Sequence, residues 1–264
     1  MSSDRNIIVH YHLFKNAGSS VDQLLKQNFN DRWMTYDGTH AGAIIVADEL
    51  QGLIADNPDI EAISSHQIVP PLPQVEANVY PIVFLRDPID RIKSAYLFEW
   101  KKQLGTDTPK GTLESYIKEK FALRRKNSIE EFQTLRLSNT QSDQFHQFNT
   151  VDDNELLERA TQFIESLDFV GIVDEFDRSS VLLSNFLREA FPDFVPREVK
   201  ANVLQDLSLS QEAKRDMIRQ ELGDELFEMI VERNRLDEAL YQSGRRHFNK
   251  LCTLVQPDIS ASAA

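Results

Sequence analysis

Short apolar runs alternate with amphipathic segments along the chain, a pattern typical of an α/β domain. Strands are predicted where apolar and β-branched residues cluster and give way to polar residues. The predicted strands are Ile7–Tyr11, Ala62–Ser65, Tyr80–Leu85 and Phe169–Val173. The segments that follow the first three of these strands are the first places to look for a binding site.

Helices are predicted where apolar residues recur three and four positions apart. They span about Ser20–Asn28, Ala43–Ala55, Thr112–Arg124, Ile129–Leu137, Asp152–Leu167 and Phe176–Phe191, with two or three more between Ser208 and Leu251. A further helix begins at Asp87–Pro88, because aspartate is a good N-cap and proline suits the first helical position. Ile68–Pro81 is predicted to be a long loop over the sheet edge. We expect one domain over residues 1–257 and a flexible tail at 258–264.

Composition narrows the class of protein. The 264 residues carry a net charge of −13 and are 41% hydrophobic, with few glycines and prolines, which argues against disorder. The acidic balance disfavours nucleic acid and anionic membranes as partners. The first apolar run is too short for a signal or membrane segment, and the single cysteine rules out an internal disulfide. We therefore expect a cytoplasmic location. Because the chain as a whole is acidic, any phosphate site must depend on a local group of cations and main-chain amides.

The first candidate site is the loop after the first strand, His12–Ser20, which reads HLFKNAGSS. Small residues allow the backbone to fold around an anion, and a helix N-terminus adds unpaired N–H groups and partial positive charge. Packing alone also produces such glycine turns. The loop is not a Walker A motif, because Lys15 precedes Gly18 by three residues instead of following it. The strand Tyr80–Leu85 likewise ends without a magnesium-binding carboxylate, which disfavours a P-loop small-molecule kinase.

The second candidate site is the segment Leu85–Tyr96, which reads LRDPIDRIKSAY. Arg86 follows a strand, at the edge where open α/β sheets bind ligands. Together with Ser94 it could hold a terminal phosphate through charge and paired hydrogen bonds. The alternative is structural: an ion pair between Arg86 and Asp90.

In this order the two segments resemble motifs of the PAPS-dependent sulfotransferases, in particular the group that includes heparan sulfate 2-O-sulfotransferase and its bacterial relatives. The family patterns are H-[IV]-P-K-[TC]-A-G-[TS]-[ST] and [LV]-R-D-P-x-x-R-x-x-S-x-[YF]. This chain departs from the first with Phe14 in place of proline and Asn16 in place of threonine. The resemblance implies a P-loop-like three-layer fold, with a central mostly parallel sheet flanked by helices and a helix-rich C-terminal half.

The resemblance also implies an activity, the transfer of a sulfuryl group from PAPS to a hydroxyl of a carbohydrate or small metabolite, leaving PAP. The 5′-phosphosulfate would lie on Lys15, Asn16, Ala17, Gly18, Ser19 and Ser20, with Asn16 presenting its main-chain N–H, and the 3′-phosphate on Arg86 and Ser94. Lys15 would neutralise charge on the leaving phosphate, so no metal is expected. A catalytically silent PAP-binding protein and the kinase remain as alternatives.

His66 is the predicted general base, because it follows the strand Ala62–Ser65 at the same sheet edge as both anion sites, and a histidine after this strand is the base in similar family members. A structural role at the strand end is the alternative. His10 is expected to be buried, and His12 to brace the phosphate loop. A zinc site on His10 and His12 is disfavoured because the sequence suggests no third ligand.

Overall fold

The computed structural model describes residues 5–40, 42–123, 127–138, 151–196 and 209–255. Its strands are β1 Asn6–Tyr11, β2 Trp33–Thr35, β3 Ala62–Ser65, β4 Asn78–Leu85 and β5 Gly171–Ile172. They form one parallel sheet in the order β2-β3-β1-β4-β5. Helices flank this sheet, so the predicted three-layer α/β fold is confirmed.

The helices, in chain order, follow the predicted alternation with the sheet. They are α1 Gly18–Phe29, α2 Ala47–Asp56, α3 Pro88–Leu97, α4 Leu113–Phe121, α5 Phe132–Leu137, α6 Asp153–Glu165, α7 Phe176–Leu187, α8 Gln211–Leu222, α9 Asp224–Glu232 and α10 Arg235–Val255. A π-helical segment, Phe98–Lys102, continues α3. Such segments often occur near functional sites.

The core lies on both faces of the sheet. Consecutive residues Ile7, Ile8 and Val9 of β1 are all fully buried, which requires cover on both faces because neighbouring strand side chains point in opposite directions. A second apolar cluster fills the space among α3, α4, α8 and α9. The central position of β1 therefore fixes where its following loop emerges.

One predicted helix start is confirmed and another lies later in the chain than predicted. Asp87 caps α3 by accepting the N–H of Asp90 at 2.8 Å, as predicted. The helix predicted from Ala43 begins only at Ala47, because Ile45 is held in a parallel bridge with Ile68.

Three strands also differ from the prediction. The sequence pattern did not reveal β2, which is only three residues long. The predicted strand Phe169–Val173 is reduced to Gly171–Ile172. Strand β4 begins at Asn78, so the predicted loop Ile68–Pro81 ends earlier than expected.

Several expectations fall outside the described residues, including the tail 258–264, Arg124 and Ser208. In the part of the chain that the structure describes, no helix combines the length and apolarity needed to cross a membrane.

Candidate active site at the carboxyl edge of the sheet

Parallel pairing brings three polar segments to one edge of the sheet. Strand β1 lies between β3 and β4, so the loop after Tyr11, the residue His66 after β3 and the residue Arg86 after β4 all emerge together. The chain passes from β3 on one side of β1 to β4 on the other. Such a change of direction opens a crevice at the carboxyl ends of the strands, where open α/β sheets bind ligands.

The loop between β1 and α1 has a strained backbone. Lys15 and Ala17 both have positive φ, 66° and 61°, and Ala17 immediately precedes α1. The first amide of the helix that makes a hydrogen bond is that of Ser20, which donates to the carbonyl of Ala17 at 2.9 Å. The amides of Gly18 and Ser19 have no acceptor within the helix, as at any helix start. Among the described residues, no side chain caps this end of α1 either. Such amides are suited to an anion.

Glycine is required at position 18 because the His12 ring occupies the adjoining space. A Cβ atom built on Gly18 would lie 1.9 Å from Cδ2 of His12. His12 is only 7% exposed and its Nδ1 lies 2.8 Å from Oδ2 of Asp22. The expected bracing of the loop by His12 is thus confirmed by direct contact.

Asn16 requires a correction. Its main-chain N–H donates to the carbonyl of Leu13 at 3.1 Å, so this amide does not face an oxyanion as expected. Its buried side-chain amide instead donates to the Phe84 carbonyl and to Oε1 of Gln133, both at 2.7 Å. Asn16 therefore ties the loop to the end of β4.

Arg86 joins the two candidate anion sites. Its Nη1 donates to the Lys15 carbonyl at 2.9 Å, which places both segments in contact. Its Nε and Nη2 each lie 2.7 Å from Oδ2 of Asp90, so the ion pair considered as the structural alternative is present. This pairing orients the guanidinium and leaves its role toward a phosphate as a prediction.

Gln133 is the centre of this junction, and it is fully buried. Its Oε1 accepts two hydrogen bonds, from the side-chain amide of Asn16 and from the main-chain N–H of Arg86 at 3.0 Å. Its Nε2 donates to the Arg86 carbonyl at 3.0 Å. One side chain therefore holds the first loop and the end of β4 in a fixed relation.

Helix α10 holds Gln133 in place. The carboxylate of buried Asp237 accepts the main-chain N–H groups of Gln133 at 3.1 Å and Thr134 at 2.7 Å. In return, Glu131 accepts the N–H groups of Leu236 and Asp237. The first turns of α5 and α10 thus cap each other, which satisfies amides that a helix start leaves unpaired.

Lys15 sits in a setting that favours reactivity. Its Nζ lies 4.5 Å from the centroid of the Phe98 ring, which belongs to the π-helical segment. Burial, together with the nearby charges of Arg86 and Lys102, lowers the pKa of Lys15 to about 8. The ammonium group is therefore poorly solvated, and an added anion would stabilise its charge.

Ser94 and Arg91 both lie on α3 but are less accessible than the sequence suggests. Ser94 is 6% exposed and Arg91 is fully buried. Arg91 donates from Nη1 to the Ser128 carbonyl at 2.8 Å, and its guanidinium lies over the Phe132 ring. Arg91 thus has a structural role, while the role of Ser94 toward a 3′-phosphate remains a prediction.

His66 is held by an aspartate that the sequence analysis did not identify. Oδ1 of Asp37 accepts the Ser65 hydroxyl at 2.8 Å and the His66 N–H at 2.9 Å. Its Oδ2 lies 3.0 Å from Nδ1 of the His66 ring. The His66 side chain is 48% exposed, and the contact with Asp37 uses only one of its two ring nitrogens.

A second imidazole lies against His66. The rings of His12 and His66 stack with centroids 3.8 Å apart. Burial and the neighbouring His12 lower the pKa of His66, and Asp37 opposes this shift only in part. The pKa of His12 is also lowered, mainly by burial. Both rings are therefore neutral near pH 7, the state in which an imidazole accepts a proton.

His10, His12 and Asp22 form a group that could hold a metal ion, since their ligand atoms lie within 4.8 Å of one another. Asp22 supplies a third group of the right chemistry, which the sequence did not suggest, so the reason given for disfavouring a zinc site was wrong. The two rings are nearly parallel, 22° apart, and each Nδ1 contacts a separate oxygen of Asp22. This arrangement suits two N–H donors on one carboxylate better than lone pairs converging on one ion.

Arg136 adds a cation beside this edge. It is 5% exposed, lies on α5 one turn beyond Gln133, and is attracted by the charge of Asp37. Burial lowers the pKa of Arg136 to about 10, so it stays charged at neutral pH.

Comparison with known proteins relates the chain to one archaeal protein. No family model matches the sequence. A protein of Archaeoglobus fulgidus, described as an uncharacterized protein, is 30% identical over 250 residues, which span 90% of this chain and 96% of that protein. Similarity over nearly the full length of both chains shows that this protein belongs to the same family as the Archaeoglobus protein.

Proposed function

We propose that this protein is a PAPS-dependent O-sulfotransferase acting on a hydroxyl of a carbohydrate or small metabolite. The observation that carries the proposal is the 2.9 Å hydrogen bond from Arg86 to the Lys15 carbonyl. It brings the two segments that resemble the sulfotransferase motifs into contact at one sheet edge. PAPS carries a phosphate at each end of its ribose, so it needs two such anion sites close together.

The donor would bind with its 5′-phosphosulfate on the loop between β1 and α1. The amides at the start of α1 and the ammonium group of Lys15 are suited to this group. The 3′-phosphate would then lie beside Arg86 and Ser94. Since the whole chain is acidic, this local cation cluster is what would attract an anionic nucleotide.

In the proposed reaction His66 is the general base for transfer of the sulfuryl group. The acceptor O–H gives its proton to the free ring nitrogen of His66 as the oxygen forms a bond to sulfur. The bond from sulfur to the 5′-phosphate oxygen breaks, and its electron pair stays on that oxygen, giving PAP. Lys15 would stabilise this developing negative charge. The acceptor would approach His66 from solvent, to which about half of the side chain is exposed.

Sulfate transfer from radiolabelled PAPS to a panel of hydroxyl acceptors tests the proposal. His66→Ala is expected to bind PAP normally and to lose about 100-fold in turnover. Lys15→Ala should lose more in kcat than in donor affinity. Lys26→Ala is the matched control because Lys26 is an exposed lysine in the last turn of α1. Its activity should equal that of the native protein.

Three results would contradict the proposal. Native turnover in His66→Ala would show that His66 is not the general base. PAP binding without transfer to any acceptor would indicate the silent binding protein. Magnesium-dependent phosphoryl transfer from ATP would indicate a kinase.

A further inference from the structure

We infer that Asp37 is a positioning residue that fixes His66 in one tautomer, with the proton on Nδ1 and the lone pair on Nε2. This inference rests on the proposed function for its catalytic meaning, but the tautomer itself is independent of any reaction. The carboxylate reaches His66 from the loop after β2, next to the strand that carries His66.

The contacts of the two Asp37 oxygens carry the argument. Oδ1 already receives two donors, the Ser65 hydroxyl and the His66 main-chain N–H. Oδ2 lies 3.0 Å from Nδ1 of His66. A carboxylate only accepts hydrogen bonds, so Nδ1 must carry the proton. The lone pair of the neutral ring is then on Nε2.

The groups around His66 favour the same neutral state. His12 stacks on one face of the ring from the end of β1, and Asp22 from α1 holds His12 in turn. Hydrogen bonds from Ser65 and His66 keep the pKa of Asp37 below its usual value despite partial burial. Asp37 is therefore ionised, and accepts hydrogen bonds, at neutral pH, where His66 is neutral.

Asparagine at position 37 should reverse the tautomer. Its carbonyl oxygen would replace Oδ1, where two donors require an acceptor, and its amide would then face Nδ1. An amide N–H donates, so Nδ1 would become the acceptor and the proton would move to Nε2. The ring would remain neutral and in place but would present a donor where the reaction needs a base. Alanine removes every Asp37 contact and leaves both tautomers available.

Asparagine should therefore be the more damaging substitution for kcat, and alanine the more damaging one for stability. For sulfate transfer, Asp37→Asn should lower kcat on the order of 10³-fold, with KM for PAPS nearly unchanged, and Asp37→Ala should be at least tenfold less damaging. For stability, alanine should lower the urea midpoint more, because it loses the Ser65 and His66 main-chain bonds that asparagine keeps. A purely structural role would make alanine the worse variant in both measurements.

Nitrogen NMR of ¹⁵N-histidine-labelled protein reads the tautomer directly at pH 8, with the His66 signals assigned through His66→Gln. The native protein should show the proton on Nδ1, and Asp37→Asn should show it on Nε2. Asp59→Asn, an exposed aspartate near the opposite end of β3, should match the native protein in every measurement.

The readouts separate the two proposals. Retention of the Nδ1 proton in Asp37→Asn, or greater loss of kcat in Asp37→Ala, would overturn the role of Asp37. If the predicted tautomers are observed but the protein transfers no sulfate, the positioning role of Asp37 is supported and the proposed sulfotransferase function is overturned.

Discussion

Replacing Gln133 by leucine tests whether the two candidate anion sites depend on one side chain. Leucine has a similar volume but no polar atoms, so the substitution removes hydrogen bonds without leaving a large cavity. Three bonds are lost: those from Asn16 and from the Arg86 N–H to Oε1, and that from Nε2 to the Arg86 carbonyl. The Asn16 amide keeps its bond to Phe84, but both main-chain groups of Arg86 lose this partner in a buried setting.

The size of the effect follows from these losses. Each buried hydrogen bond contributes a net stabilisation of about 0.5–1.5 kcal/mol, and leaving a buried polar group unpaired costs more. We expect Gln133→Leu to lower the free energy of unfolding by about 2–4 kcal/mol. Because a domain of this kind typically has about 5–15 kcal/mol of stability, the variant should remain folded at 25 °C. Its affinity for PAP should fall at least tenfold, because, of the hydrogen bonds described above, only the Arg86 bond to the Lys15 carbonyl and the Asn16 bond to Phe84 would still join the loop to the end of β4.

Urea denaturation followed by circular dichroism measures the first effect, and calorimetric titration with PAP measures the second. Gln162→Leu is the control: its side chain makes one exposed bond to Glu158 within α6, so its stability should change by less than about 0.5 kcal/mol. A loss below about 1 kcal/mol in Gln133→Leu, with native PAP affinity, would refute the reasoning.

Two further predictions concern the first loop. Because the pKa of Lys15 is lowered to about 8, its positive charge is present below pH 8 and is lost as the pH rises through it. Calorimetry should therefore show PAP affinity falling between about pH 7 and pH 9, and Lys15→Met should abolish this dependence; a flat native profile would contradict it. Gly18→Ala should cost about 1–3 kcal/mol in urea denaturation because its Cβ meets the His12 ring. Gly52→Ala, where a Cβ meets nothing within 4 Å, should not destabilise, and equal stability of the two variants would exclude the steric argument.

The fold was largely predictable because its signals are local. Apolar runs at Ile7–Tyr11 and Tyr80–Leu85 mark the central strands, and Asp87–Pro88 marks the start of α3 within one residue. The loop after β1 and Arg86 could be chosen because both follow predicted strands. Strand β2 was missed because three residues carry no periodicity, and the start of α2 depends on the distant bridge to Ile68.

The supporting residues of the site were not predictable because their partners are distant in sequence. Asp37 acts on His66 from 29 residues away, and Gln133 reaches Arg86 from 47 residues away. Asp22 offered only a weak signal, as an acidic residue on a helix that follows two histidines. Position in the sheet order, which no single-sequence pattern gives, is what brings these side chains together.

If the protein is a PAPS-dependent sulfotransferase, one nucleotide with two phosphates should span the β1 loop and the end of β4. A crystal structure of the protein with PAP tests it most directly. The 5′-phosphate should lie on the amides of Gly18 and Ser19 beside Lys15, and the 3′-phosphate within hydrogen-bond distance of Arg86 and Ser94. PAP bound elsewhere, or with only one phosphate in contact with these residues, would contradict it.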